Sequence, residues 1–185
     1  MNIKQEIENY IPFNEQEIKD KEYFLKCIAS FDDVLTRNNE FIHFSSSSLI
    51  LNKEKTKMLV VYHNIYDGWV YPGGHADGEE NLISVAIREA KEETGQDIKI
   101  LDNSIFAIQS CPVKCHIKKG KYISAHTHLD VVYLFEADEH KVLSFREDES
   151  KGIKWISLKE ACSTNIVDFI RPVNQKLIEK LNKMK

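Results

Sequence analysis

The sequence lacks most of the features that mark a specialised environment. No apolar run approaches the roughly 18 residues that a membrane span needs, and the opening Met1-Asn-Ile-Lys-Gln-Glu carries no signal-peptide core. A cytoplasmic protein is therefore expected. Four cysteines (Cys27, Cys111, Cys115, Cys162) in 185 residues do not make a disulfide framework, so reduced thiols are the expectation. Internal repeats, low-complexity tracts and an interdomain linker are absent, which leaves one domain of ordinary size. A basic surplus is missing as well. The formal net charge of −4 argues against a general nucleic-acid binder. It also means that a polyanionic substrate would need its repulsion cancelled, most simply by divalent cations. What remains, 42% hydrophobic and 29% charged residues, is the composition of a globular protein.

Periodicity organises the chain. Residues 1 to about 36 read as a helical extension: Asn14 is a candidate N-cap, followed by Ile18, Phe24, Leu25 and Ile28 at roughly helical spacing. If that stripe is exposed, it suggests a homodimer. Residues 37–185 hold the rest of the domain. Phe41 to Leu51 and Met58 to His63 read as strands of a hairpin joined by a polar turn. A loop over 64–80, punctuated by Pro72-Gly73-Gly74 and Gly78, leads into a helix from about Asn81 to Thr94, with Gly95 placed for a left-handed cap. Short strands follow at 98–100, 106–110, 131–136 and 152–156, then a small helix from Ser157 and an amphipathic one over 173–184. Strands mixed with segregated helices predict an α+β or α/β/α layered domain.

The helix over 81–94 is where local physics objects. Ile83, Ile87 and Ala90 cluster on one face, and Glu89, Glu92 and Glu93 are predicted on the opposite side. Three like charges near a helix C-terminus oppose the macrodipole. A solvated acidic face is the ordinary explanation for such a pattern. The preceding loop argues otherwise: Gly73-Gly74 permits close backbone approach, so that a carbonyl can join the carboxylates around a hard cation. Glu80 stands at the loop–helix junction, and Arg88, four residues before Glu92, is placed to hold it.

Gly74-His-Ala-Asp-Gly-Glu-Glu80, seven residues, then Arg88-Glu-Ala-Lys-Glu-Glu-Thr-Gly95 resembles the Nudix box, G-x5-E-x7-R-E-U-x-E-E-x-G-U, with every fixed residue at its spacing. The closing aliphatic position is Gln96 instead, which puts the local packing there in question. Trp69 to His75, the later strands and Lys154-Trp155-Ile-Ser-Leu also look Nudix-like. The resemblance implies an α/β/α sandwich around a mixed sheet. It implies hydrolysis of a diphosphate linkage in a nucleoside diphosphate derivative, a small-molecule substrate. By the same resemblance Glu89, Glu92 and Glu93 would ligate Mg²⁺ (or Mn²⁺) with the Gly73 carbonyl, supported by Arg88 and Glu80. Glu89 is the first choice as general base, and Glu149 (with Glu147 as its rival) would supply an extra acid.

Surrounding residues bear on the substrate. Lys114, Lys118, Lys119 and Lys121 form either a phosphate-attracting loop or a solvated hairpin turn around Gly120. Trp69, Tyr66, Tyr71 and Phe145 are candidates to stack on a base, or else core residues. His75 is a contact candidate, or an exposed loop residue. His126 and His128 share a strand face, with Cys111, Cys115 and His116 near in sequence, yet the spacing follows no standard zinc pattern. Pro112, sixteen residues after Gln96, resembles the mark of ADP-ribose-type members. ADP-ribose or a nucleotide sugar is thus the first expectation and an oxidised nucleoside triphosphate the second. A ligand-binding or RNA-associated module without turnover, and an isomerase on the same fold, are the alternatives that the intact box disfavours.

Overall fold

Two asparagines start the chain's first helices. In the computed structural model, which describes residues 2–118, 120–145, 150–163 and 166–184, α1 (Ile3–Asn9) and α2 (Glu15–Ser30) are capped by Asn2 and Asn14. Each side chain accepts the amide hydrogen of the residue three positions on, at 3.0 Å. The apolar stripe of α2 turns inward. Phe24 is fully buried and meets Phe44 edge to face, Leu25 and Ile28 pack against the same core, and only Ile18 stays exposed. The stripe is thus consumed within the chain.

β1 (Ile42–Leu51) and β2 (Lys57–His63) follow the expected polar turn, yet they pair only at Leu51–Met58. Beyond that point they part. β2 turns to β3 (Gly68–Val70), while β1 takes β4 (Gly73–His75) on the same edge through Ser45–Ser47. The segment expected as loop thus contains two short strands. On its other edge β1 runs parallel to β9 (His126–Glu136) over ten residue pairs. Between them in sequence come α3 (Leu82–Thr94), β5 (Lys99–Ile100), β6 (Ala107–Val113) and a separate hairpin of β7 (His116–Lys118) with β8 (Lys121–Ile123). β10 (Ser150–Ser157), a 3-10 turn (Glu160–Cys162) and α4 (Ile170–Lys183) complete the chain. The main path of the mixed sheet is β10-β2-β1-β9-β5, with β6 on β9.

Alternation along β9 assigns the two faces. Val131, Tyr133 and Phe135 join the core under α1, α2 and α3; Val132 and Leu134 join the core under α4. The outcome is an α/β/α sandwich. The divergence of β1 from β2 matters most for function, because it opens a cleft between Ser45 and Ser47 on one side and Val61 and His63 on the other.

Candidate active site

α3 delivers the carboxylates, though from a different face than the sequence predicts. Its buried residues are Leu82, Val85, Ala86, Ala90, Glu93 and Thr94; Ile83 and Ile87 are only half-buried. Glu93 and the half-buried Glu89 therefore continue the inward stripe, while Glu92 is exposed. The helix packs on β1 and β4, and where the apolar sheet gives way to the Gly73–Gly74 backbone its inward face becomes acidic. Gly95 closes it in the left-handed conformation (φ 65°). Gln96, at the atypical position, is buried and donates from Nε2 to the Val142 carbonyl at 2.9 Å.

The two glycines are fixed by what they touch. A Cβ on Gly73 would lie 2.8 Å from the Ser47 Cα, and one on Gly74 would lie 2.3 Å from the Glu89 carboxyl carbon. Only glycine allows this approach. The Gly73 amide donates to Glu93 Oε2 at 2.8 Å, which orients that carboxylate. Arg88 donates to Glu89 Oε1 at 2.9 Å instead of bridging to Glu92 four residues on. Glu80 is exposed and does not line the cleft; Glu79 does.

The cleft measures about 1050 Å³. Its walls include Glu89, Glu92, Glu93, Arg88, Gly73, His75, Lys118 and the aromatic pair Tyr66–Phe169, whose rings meet at 5.2 Å. Phe169, which nothing in the sequence singled out, thus faces the same space as Tyr66. Trp69 does not line it: its ring contacts Tyr62 edge to face and carries the Lys154 ammonium at 4.5 Å. Tyr71 is buried with its hydroxyl engaged, so it belongs to the floor and offers no open ring. Lys118 sits on β7, beside the turn that Gly120 makes at φ 77°. Pro112 occupies β6 opposite Thr127. Lys119, Glu147 and Glu149 lie outside the described residues.

Below the cleft sits Asp130, fully buried. Its carboxylate accepts from Ser45 (2.9 Å), Ser47 (2.7 Å), Tyr71 (3.2 Å) and Gln109 (2.5 Å). Burial still pushes its pKa above the usual carboxylate value. The other two serines of β1 point the opposite way. Ser46 donates to the Leu82 carbonyl and Ser48 to the Ala86 carbonyl, riveting α3 to the sheet. Four serines inside a buried strand must all find partners, and that requirement was the available signal.

Histidines crowd one end. His43, His75, His126 and His128 have ring centroids 4.8–5.2 Å apart where they touch. Burial, then neighbouring His43 and Arg37, pulls His75 down to about 3, and burial with the surrounding imidazoles holds His128 well below the ordinary value. His75 is half-buried within this group and not a solvent-exposed loop residue. Cys115 is exposed, and His116 turns its Nδ1 to the Lys114 carbonyl. The cysteine–histidine grouping suggested by sequence proximity is therefore replaced by one of histidines alone.

Comparisons with known proteins fit this architecture. A 30% identical relative, the asymmetrical bis(5'-nucleosyl)-tetraphosphatase of Mus musculus, aligns over 95 residues, 51% of this chain and 58% of the mouse protein. Less than two thirds of that relative's length is thus matched. A NUDIX-family hydrolase from Clostridium perfringens superposes with a TM-score of 0.56 at 23% identity, covering 77% of this chain and 98% of that one. An Ap4A hydrolase from C. elegans does so with a TM-score of 0.55 at 19% identity, covering 76% and 95%. These two share the fold. The NUDIX domain model matches residues 42–181, three quarters of the sequence, and the chain belongs to that family.

Proposed function

We propose that this protein is a divalent-metal-dependent hydrolase that cleaves the diphosphate linkage of a nucleoside diphosphate derivative. One observation carries the proposal: Glu89 and Glu93 converge on the Gly73–Gly74 backbone inside a cleft, at a spacing that a single added methyl would destroy. The donor set suits Mg²⁺ or Mn²⁺, since carboxylate and carbonyl oxygens are the ligands these hard cations prefer. Glu89, Glu92, Glu93 and the Gly73 carbonyl would hold the ions. When bound, they neutralise the diphosphate and lower the pKa of an attacking water.

The chain's own groups do the rest. Glu89, held in place by the Arg88 guanidinium at 2.9 Å, takes the water's proton. The Gly73 amide fixes Glu93, and Lys118 presents a cation to the phosphates at the cleft wall. Tyr66, one of the four aromatic candidates in the sequence, and Phe169 supply the apolar surface for a base. Glu80, which does not line the cleft, is given no ligand role in this reading. At about 1050 Å³ the cleft reaches the top of the range of about 300–1,000 Å³ that encloses drug-sized ligands, which favours a substrate larger than a mononucleotide.

ADP-ribose and nucleotide sugars meet that size. The mouse relative's name adds a second candidate, a bis(5'-nucleosyl) tetraphosphate. The test is to incubate the protein with Mg²⁺ and ADP-ribose, a nucleotide sugar, an oxidised nucleoside triphosphate or a bis(5'-nucleosyl) tetraphosphate, and to resolve the nucleotide products by chromatography. Release of a nucleotide from one of the larger compounds, lost in Glu93→Gln with an unchanged melting temperature, is the expected result. Full turnover in Glu93→Gln would overturn the proposal.

A further inference from the structure

The histidines at the end of the cleft are arranged for more than packing. β1 and β9 run parallel with His43 directly beside His128, and β4 brings His75 opposite Ser45, two residues along β1. Three strands far apart in sequence thus deliver three imidazoles to one point, and one ring nitrogen from each lies within 4.8 Å of the others. The fourth, His126, shares the β9 face of His128, and their Nε2 atoms are 3.2 Å apart.

Hydrogen bonds select which nitrogens are available. His43 Nδ1 lies 3.0 Å from the Asn39 carbonyl, and a carbonyl can only accept, so Nδ1 carries the proton. The nitrogen left to His43 is Nε2, which is buried and has no hydrogen-bond partner. His126 has its Nδ1 2.8 Å from the Ser124 carbonyl, and its Nε2 is paired with His128 Nε2 at 3.2 Å, a contact that a metal ion would replace. A backbone carbonyl holding one ring nitrogen while the other is left open is how protein metal sites fix a histidine ligand. A buried acceptor with no partner is otherwise a net cost. Of the charges that act on these imidazoles, Arg37 and Asp77 are paired with each other at 2.7 Å, which leaves the Lys118 ammonium at the cleft wall as the cation that His75 faces.

We propose that His43, His75 and His128 form a binding site for a divalent transition-metal ion of the zinc class, distinct from the carboxylates of α3, with His126 in reach as a fourth ligand. Imidazole nitrogens select zinc, cobalt, nickel or copper, whereas the oxygen ligands of α3 select magnesium or manganese. The two sites therefore sort their ions by chemistry. Zinc–nitrogen bonds of about 2.0–2.1 Å in a tetrahedron place ligand nitrogens roughly 3.4 Å apart. The nitrogens of His43, His75 and His128 lie within 4.8 Å of one another, so an ion would draw them together by about 1.4 Å at most. His75 and His128 also line the cleft, so an ion held there faces the same space as the substrate.

The decisive experiment titrates the chelator-stripped full-length protein with Zn²⁺ in excess Mg²⁺, following heat by calorimetry, and repeats it with Co²⁺, following visible absorption. One equivalent of zinc, with intense cobalt d–d bands of tetrahedral nitrogen ligation, is expected. His43→Ala and His128→Ala should weaken zinc binding by about 100-fold or more, and Glu93→Gln should leave it unchanged. His75→Ala and His128→Ala, both at half-buried positions, provide the same test if the buried His43→Ala fails to fold by circular dichroism. Zinc should raise the melting temperature of the wild type and not of the histidine variants. Zinc affinity that survives in the folded histidine variants, or that disappears in Glu93→Gln, would overturn the site, as would the absence of tetrahedral cobalt bands. Turnover is not part of the readout, so the hydrolase proposal stands or falls separately.

Discussion

Gly74 shows how much a single hydrogen-for-methyl exchange can decide. Its missing Cβ is the room that the Glu89 carboxyl occupies, and its φ is not left-handed, so alanine is tolerated by the backbone. Gly74→Ala should therefore fold and displace Glu89 by about 1 Å, lowering kcat on the order of 100-fold with little change in melting temperature. Steady-state rates beside a thermal melt check this. Gln96 makes the opposite case. Its Oε1 is buried without a partner, while the Val142 that receives its Nε2 is mostly exposed and can turn to water. Gln96→Leu should stabilise the chain by about 1 kcal/mol, read as a higher urea midpoint. Both residues were legible because they occupy fixed positions in a local pattern. Asp130 and His43 were not, since their partners lie 85 residues away and meet them only through the parallel register of β1 with β9. The sequence leaves Tyr71 open between base stacking and the core for the same reason: its hydroxyl answers to Asp130, which no local spacing announces.

Between elements, a buried polar network joins α2 and α4 around the outer strand β6. The buried Glu17 carboxylate accepts from the Tyr10 hydroxyl (2.6 Å) and the Phe13 amide (2.8 Å), and meets Lys176 at 3.2 Å and Lys180 at 3.5 Å. Lys176 also donates to the Ile108 carbonyl of β6 at 2.7 Å, covering an edge group. Burial alone would raise the Glu17 pKa; Lys176, Tyr10, Phe13 and Lys180 together lower it. Burial also lowers Lys176, because two ammoniums share one carboxylate and each recovers less than it loses. Glu17→Gln leaves both ammoniums without a counter-charge, which should cost about 3–5 kcal/mol, or roughly 10 °C in melting temperature. A carboxylate whose folded pKa is depressed stabilises fully above its unfolded value of about 4.3, and that stabilisation is lost as pH falls through the folded value. The gap between wild type and variant should accordingly be widest near neutral pH and shrink below about pH 4; a gap constant with pH would refute the linkage. Helix ends were legible here, because Asn14 and Gly95 cap by side chain and by backbone handedness. The hairpin of β1 and β2 was legible only at its turn. Nothing local says that β1 will leave its neighbour for a strand 80 residues on.

The same network decides what counts as one unit. The sequence sets residues 1–36 apart as an extension, and the NUDIX match begins at residue 42. The packing binds them in. Ile3, Ile7, Tyr10, Phe24 and Val34 share one core with Phe44, Ile108 and Tyr133 of the sheet. Removing the extension would uncover those three large side chains, each worth about 1.5–3 kcal/mol when buried, against a whole-domain stability of about 5–15 kcal/mol. It would also strip Lys176 and Lys180 of Glu17 while they remain partly enclosed by α4 and β6. We therefore expect a chain beginning at residue 37 to lose cooperative thermal unfolding and to aggregate at concentrations where the full chain stays monodisperse. Light scattering and a calorimetric melt, recorded side by side, measure both. Supplying residues 1–36 as a separate peptide should restore part of the transition, because the sheet face and the two ammoniums would regain their partners. A truncated chain that melts cooperatively at the full-length temperature would show instead that residues 1–36 are an appendage, and that the domain begins where the NUDIX match does.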